Sequence, residues 1–140
     1  MGRSRLTPIF VDTAYIIARV NQRDQYHATA EALAYQYMGR QFIVTDGVLL
    51  ETGNALARRY RAAAIRLIEQ FLVSPKVEVV YTTPNLFAAA FALYKQMDDK
   101  QWSLVDCVSF VVMRERGLTE ALTPDHHFTQ AGFQALFAQR

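Results

Sequence analysis

The stretch Ile9-Phe10-Val11-Asp12-Thr13 decides how this chain is read. Three apolar residues follow one another without alternation and stop at an aspartate. A continuous apolar run of this kind fits a strand covered on both faces, as in a parallel sheet. Working outward, Phe42-Ile43-Val44, Val77 to Tyr81 and Ala121-Leu122-Thr123 repeat the pattern, and Phe133 to Phe137 is a weaker fifth candidate. The intervening segments carry helical periodicity and are long enough to be crossovers. The chain therefore reads as α/β with a mainly parallel sheet.

Helix boundaries are legible between the strands. Asp24 is expected to cap a helix running through Ala28, Ala32, Leu33 and Tyr37, with Gly39 ending it. Thr83-Pro84 opens another, because proline at the first helical position loses no hydrogen bond. That helix repeats Phe87, Ala90, Phe91, Tyr94 and Met97 at helical spacing, which reads as a core-facing stripe. Ser103 can cap a third helix, with Val105, Val108, Val112 and Met113 packing inward and Gly117 ending it.

Composition narrows the class. Hydrophobic residues make up 51% and charged residues 20% of the 140, which argues against disorder. No window reaches the roughly 18 uninterrupted apolar residues of a membrane span. Arg3 and Arg5 precede the first apolar run, but Asp12 interrupts it and no small-residue cleavage site follows, against a signal peptide. Cys107 is the sole cysteine, so no internal disulfide can form, which fits a reducing cytoplasm. A net charge of +2 is too small to imply nucleic-acid binding on its own. No internal repeat or linker divides the chain.

Open parallel sheets bind ligands at the carboxyl ends of their strands. Here that edge is acidic. Asp12 follows the first strand, and Asp125 follows the Ala121–Thr123 strand by a Thr-Pro step. Glu51 lies about a turn into the helix after Phe42–Val44, and Asp106 lies in the first turn of the Ser103 helix. Each has an ordinary structural explanation. Asp12 and Asp125 can cap helices, Asp106 occupies the capping-box position, and Glu51 can be a surface residue. Taken singly, those explanations are favoured. Yet Glu51 is flanked by Val48, Leu49, Leu50, Thr52 and Gly53, and Asp106 stands between Leu104-Val105 and Cys107-Val108. Burying such charges is costly, and carboxylates that converge repel one another. A divalent cation answers both problems, and all-oxygen ligands select a hard ion such as Mg²⁺ or Mn²⁺. Zinc is disfavoured, because Cys107, His27, His126 and His127 show no ligand spacing.

Four segments carry a family resemblance. They are Phe10-Val11-Asp12-Thr13 with Asn21-x-x-Asp24-x-x-His27, Leu50-Glu51-Thr52-Gly53-Asn54-Ala55-Leu56, Trp102 to Phe110 around Asp106, and Leu122-Thr123-Pro124-Asp125-His126-His127-Phe128 with Ala131-Gly132-Phe133. In this order the chain resembles PIN-domain ribonucleases, and among them the VapC-like toxins of toxin–antitoxin pairs. The resemblance implies a three-layer α/β/α fold, residues 1–140 as a single PIN-like nuclease domain, and a mainly parallel five-stranded sheet in the order 3-2-1-4-5. It implies Asp12, Glu51, Asp106 and Asp125 as metal ligands, with Asp125 serving a second ion or the attacking water. Family members are less regular at that fourth position, and Asp99 is a further candidate ranked below Asp106. Thr13, Ser103 and Asn54 are expected to orient carboxylates or metal-bound water.

The implied activity is Mg²⁺- or Mn²⁺-dependent hydrolysis of RNA by an endoribonuclease, with no histidine base required. Arg58, Arg59, Arg61 and Arg66 are candidates for the RNA backbone or for a partner protein. Arg114 and Arg116 already have a reason at a helix C-terminus. The chain carries no regulatory domain of its own, so control by an antitoxin is expected, and the family commonly forms homodimers. Tyr26, Tyr35, Tyr37 and Phe71 could supply such surfaces or belong to the core. The alternatives are a catalytically silent PIN-like binding module and a free-standing PIN nuclease without an antitoxin. Aspartate phosphotransfer fits less well: Asp12-Thr13-Ala14 lacks the second aspartate of haloacid-dehalogenase-like phosphatases, and no late-strand lysine suits a receiver domain.

Overall fold

A computed structural model describes residues 6–138, so Arg3 and Arg5 lie outside the described residues. Five strands, β1 (Ile9–Val11), β2 (Phe42–Thr45), β3 (Val77–Val80), β4 (Glu120–Leu122) and β5 (Gln134–Ala135), form one sheet in the order β3-β2-β1-β4-β5. Every pairing is parallel, with Ile9 opposite Phe42 and Val11 opposite Leu122. The central strands are apolar along their length because helices cover them: Ile9, Phe10, Val44, Ala121 and Leu122 are all buried. Between β1 and β2 lie α1 (Thr13–Val20) and α2 (His27–Gln36). Between β2 and β3 lie α3 (Asp46–Leu56) and α4 (Arg61–Val73). Then come α5 (Pro84–Gln96) and α6 (Leu104–Arg116) before β4, and the short α7 (His126–Gln130) before β5.

The order of connection has a consequence for function. From β1 the chain steps to β2 and β3 on one side, then returns across the sheet to β4 and β5 on the other. Right-handed crossovers put the helices of those two halves on opposite faces. The strand order therefore reverses between β1 and β4, which opens a crevice at their carboxyl ends.

Several boundaries differ from expectation. β3 is a half-buried edge strand rather than a buried one, and Tyr81 lies beyond its end, 60% exposed. β4 ends one residue earlier than its apolar pattern, which leaves Thr123 in the connection. The fifth strand is only Gln134–Ala135, with Leu136 to Ala138 in a 3-10 turn. Asp24 caps no helix. Its carboxylate accepts the Tyr26 N–H at 2.8 Å and its carbonyl accepts that of His27, which builds the turn ahead of α2. That helix stops at Gln36, before Gly39.

The aromatic stripe on α5 is the largest correction. Phe87, Phe91 and Tyr94 are 48%, 42% and 45% exposed, with rings stacked at 6.1 and 6.4 Å along the outer face. The inward face of α5 carries Leu86 and Ala90, with Leu93 and Met97 packed against the core. Two apolar stripes lie side by side on this helix, and periodicity alone does not say which one faces inward. The boundaries of α5 and α6 match the sequence. Thr83 accepts the Leu86 N–H at 3.1 Å, and Gly117 at φ +66° ends α6 in the left-handed conformation. Buried Phe110 of α6 meets Trp102 and Phe128 edge-on, each at 4.9 Å, and so fixes α6 against α7.

Candidate active site

Asp12 stands at the mouth of the crevice. Its N–H bonds to the Leu122 carbonyl at 3.3 Å, which ties the end of β1 to the end of β4. It precedes α1, but its carboxylate caps nothing there. Its Oδ2 instead accepts the hydroxyl of Thr123 at 2.8 Å, and the residue is only 6% exposed. Burial pushes its pKa up to about 7. The Thr123 hydrogen bond and the Thr13 backbone oppose the rise, and the charges of Asp106 and Asp125 add to it.

The next residue, Thr13, opens α1 and donates its hydroxyl to Glu51 Oε1 at 2.7 Å. Glu51 lies in the second turn of α3, which starts directly from β2. Burial raises its pKa against the Thr13 bond, and the charge of Asp106 contributes to the rise. Asp106 enters from α6. There the sequence reading holds in full: Ser103 Oγ accepts the Asp106 N–H at 3.0 Å, and Asp106 Oδ2 accepts the Ser103 N–H at 3.1 Å. Burial nevertheless raises the Asp106 pKa, with Asp125 adding to it. Asp125 caps α7 through the His127 N–H at 2.9 Å, and its own N–H donates to Thr123 Oγ1 at 3.0 Å. Capping and convergence coexist on Asp106 and Asp125.

The structure thus draws Asp12, Glu51, Asp106 and Asp125 to one sheet edge from four separate elements. Asp106 is the shared neighbour, since its charge is felt by both Asp12 and Glu51. Their donors are oxygens, and ionising them together is unfavourable without a counter-charge, so the set fits a hard divalent cation.

Other candidates fall elsewhere. Asp99 is exposed and pairs with Lys100 at 2.8 Å, outside the cluster. Asn54 is exposed on α3, and among the described residues its side chain makes no hydrogen bond to a carboxylate. Arg58 and Arg59 are exposed in the turn after α3. The neighbouring Tyr60 hydroxyl reaches Asn21 at the far end of α1, so this turn lies away from the carboxylate edge. Arg61 and Arg66 are exposed on α4.

Of two further contributors, the sequence reading discounted His127 and did not single out Thr123. His127 places Nδ1 3.1 Å from Asp106 Oδ2 and 3.4 Å from Asp125 Oδ1. With His126 and Asp125 it forms a group of donor atoms all within 4.8 Å of one another, although consecutive positions gave no such signal. Thr123 is the second. The hydroxyl two residues before a capping aspartate was the available clue. Asp46, which directly follows β2, has a structural role: its Oδ1 accepts the hydroxyl and N–H of Thr82 at 2.7 and 3.1 Å, tying β2 to the end of β3.

With this geometry in view, comparison with known proteins is decisive. Residues 9–134 match the family model described as the PIN domain. The chain belongs to the PIN-domain family. Among PIN-domain relatives it is 36% identical over 131 residues to the 23S rRNA-specific endonuclease VapC20 of Mycobacterium tuberculosis, across 89% of this chain and 95% of the relative. The crystal structure of that VapC20, described as a sarcin–ricin loop cleaving toxin, superposes with a TM-score of 0.81 at 32% identity, covering 89% of this chain and 95% of the other. FitAcB from Neisseria gonorrhoeae shares the PIN fold at a TM-score of 0.61 and 15% identity, over 91% of this chain and 94% of that one. Among the described residues no helix is long and apolar enough to cross a membrane.

Proposed function

We propose that this PIN-domain chain is a cytoplasmic endoribonuclease, dependent on Mg²⁺ or Mn²⁺, that acts as the toxin of a toxin–antitoxin pair. The observation that carries the reading is the meeting of Asp12, Glu51, Asp106 and Asp125 at the point where strand order reverses, with burial raising the pKa of the first three. Asp12, Glu51 and Asp106 would hold the cation, with Asp125 serving a second ion or the attacking water. Bound there, a divalent cation supplies Lewis acidity, polarising a phosphoryl oxygen and making water nucleophilic near neutral pH. The chain's own part is placement. Thr13 holds Glu51, while the Ser103 N–H and the His127 ring hold Asp106.

RNA is the substrate class, and a sarcin–ricin-type loop, the target that describes the VapC20 relative, is the first to test. Arg58 and Arg59, exposed in the turn after α3 and away from the carboxylate edge, would meet RNA backbone remote from the scissile phosphate. Arg61 and Arg66 extend that basic surface. A homodimer and an antitoxin would cover apolar residues left outside, among them Tyr35, Leu50, Phe87 and Phe91.

The test is cleavage of 23S rRNA and of a synthetic loop by purified protein with Mg²⁺, with Mn²⁺ and with EDTA. Cleavage should need the cation and be lost in Asp106→Asn, with far-UV circular dichroism unchanged. Cleavage in EDTA would overturn the metal-dependent mechanism. Inert wild-type protein under all three conditions would favour a silent binding module.

A further inference from the structure

Resting on that reading of the carboxylates as a cation centre, we propose that Thr123 is a positioning residue, whose single hydroxyl fixes the Asp12 carboxylate in one orientation and ties Asp125 to the same point. A threonine hydroxyl has one proton to donate and two lone pairs. One lone pair takes the Asp125 N–H at 3.0 Å, and the only proton goes to Asp12 Oδ2 at 2.8 Å. Pro124 has no N–H, so that of Asp125 is the first backbone donor after Thr123. The bond to Asp125 thereby sets the direction in which the hydroxyl donates. Asp12 has no cap partner on its own helix, which leaves Thr123 as its side-chain donor among the described residues.

The surroundings make this contact firm. Thr123 is fully buried, so water does not compete for either bond, and hydrogen bonds in such surroundings are electrostatically stronger. Branching at Cβ restricts the side chain's rotamers. Thr123 follows β4 directly and Asp12 follows β1, and these strands are paired at Val11 and Leu122. The hydroxyl therefore bridges the two sides of the crevice and sets the spacing of two carboxylates contributed by different halves of the fold. Thr13 at the start of α1 likewise donates its hydroxyl to Glu51 of α3.

The experiment compares Thr123→Val, which keeps the shape and removes the hydroxyl, with Thr123→Ser, which keeps the hydroxyl and removes the methyl. Ser109→Ala is the control, because that hydroxyl is also buried but donates only to the Val105 carbonyl of its own helix. Mn²⁺ binding to metal-stripped protein is measured by calorimetry, beside melting temperature in EDTA. Removing an outer hydrogen-bonding partner of a metal ligand typically weakens binding by about 10–100-fold, and Thr123→Val should fall in that range. Thr123→Ser should bind like wild type, and Ser109→Ala should too, even where it melts lower. Should Thr123→Val fail to fold, Thr123→Ala takes its place against the same serine rescue.

Wild-type affinity in Thr123→Val overturns the proposal, as does equal loss in Thr123→Ser, which would assign the effect to packing of the methyl. Wild-type protein that binds no Mn²⁺ would instead remove the cation centre itself, and the role of Thr123 with it.

Discussion

Replacing Asp12 with asparagine should stabilise the metal-free protein while abolishing its activity. The Asp12 carboxyl is moved from 3.8 to about 7 by burial, with Asp106 and Asp125 adding to the rise. A shift of about 3 units corresponds to about 4 kcal/mol between the protonated and ionised folded states. The folded pKa is raised above the unfolded one, so the folded state holds a proton that the unfolded chain releases. The associated stability is complete below about pH 4 and is lost as pH rises through 7, with about 2.5 kcal/mol going between pH 5 and 8. Asparagine carries no proton to lose, and the Thr123 hydroxyl can still donate to its side-chain oxygen. Glu51, Asp106 and Asp125 remain in both proteins, so the difference between them reports Asp12 together with its coupling to Asp106 and Asp125. Urea melts in EDTA should show the advantage of Asp12→Asn over wild type growing by about 2–3 kcal/mol from pH 5 to pH 8, or roughly 10 °C in Tm. Saturating Mg²⁺ should raise the wild type and leave the variant nearly unmoved, since binding stabilises only the form that holds the ion. A difference that stays flat with pH, or a less stable variant at pH 8, would refute the view that a buried, uncompensated charge strains this site.

Thr83→Ala removes the hydroxyl that accepts the Leu86 N–H and should cost about 1 kcal/mol in denaturant melts, with no change in metal binding. Arg116→Ala breaks a bidentate pair with Glu78 at 2.8 Å, but both side chains are well exposed, so the same melts should move by less than about 1 kcal/mol. If the proposed homodimer forms through α5, the double variant Phe87→Ser, Phe91→Ser should shift the light-scattering mass from dimer to monomer without lowering stability. A dimer mass unchanged by the substitutions would place the interface elsewhere, and a monomer mass in the wild type would remove the homodimer.

The sheet was legible because its signal is local. An apolar run covered on both faces needs no partner to be recognised, and the runs at Ile9 and Phe42 mark β1 and β2 within a residue, while Val77 marks where β3 starts although that strand is only half-buried. The same logic failed where burial is a tertiary outcome. Nothing in Phe87-Ala88-Ala89-Ala90-Phe91 says that Ala90 faces the core and the phenylalanines face outward, because alanine lets the helix approach closely and the rings are left outside. Asp24 misled for a related reason: an aspartate that builds a turn and one that caps a helix look alike, and the difference lies in which N–H comes within reach. The carboxylates were found by position, each at the end of a strand or early in a helix. The groups that hold them, Thr123 and His127, contact them across a separation of 111 residues in one case and 21 in the other. Local pattern has no access to such contacts.

The position of the carboxylates also explains how the fold tolerates them. In a parallel sheet every crossover helix begins near the carboxyl edge, so several positive helix ends meet there. α1, α3, α6 and α7 all start at or near this edge, each with one of the four carboxylates at its N-terminus or within its first two turns. Asp106 and Asp125 take full advantage, accepting N–H groups from Ser103 and His127 that would otherwise be unpaired helix donors. Glu51 lies further along its helix and is half-exposed, so water does part of that work. Asp12 is the most buried of the four: its side chain caps nothing on α1 and takes the Thr123 hydroxyl, with some help from the Thr13 backbone. Burial pushes its pKa up to about 7, and a cation would gain most by binding at this least compensated of the four carboxylates. Topology supplies the helix ends, and on the proposed reading the carboxylate they compensate least is the one a divalent cation would serve most.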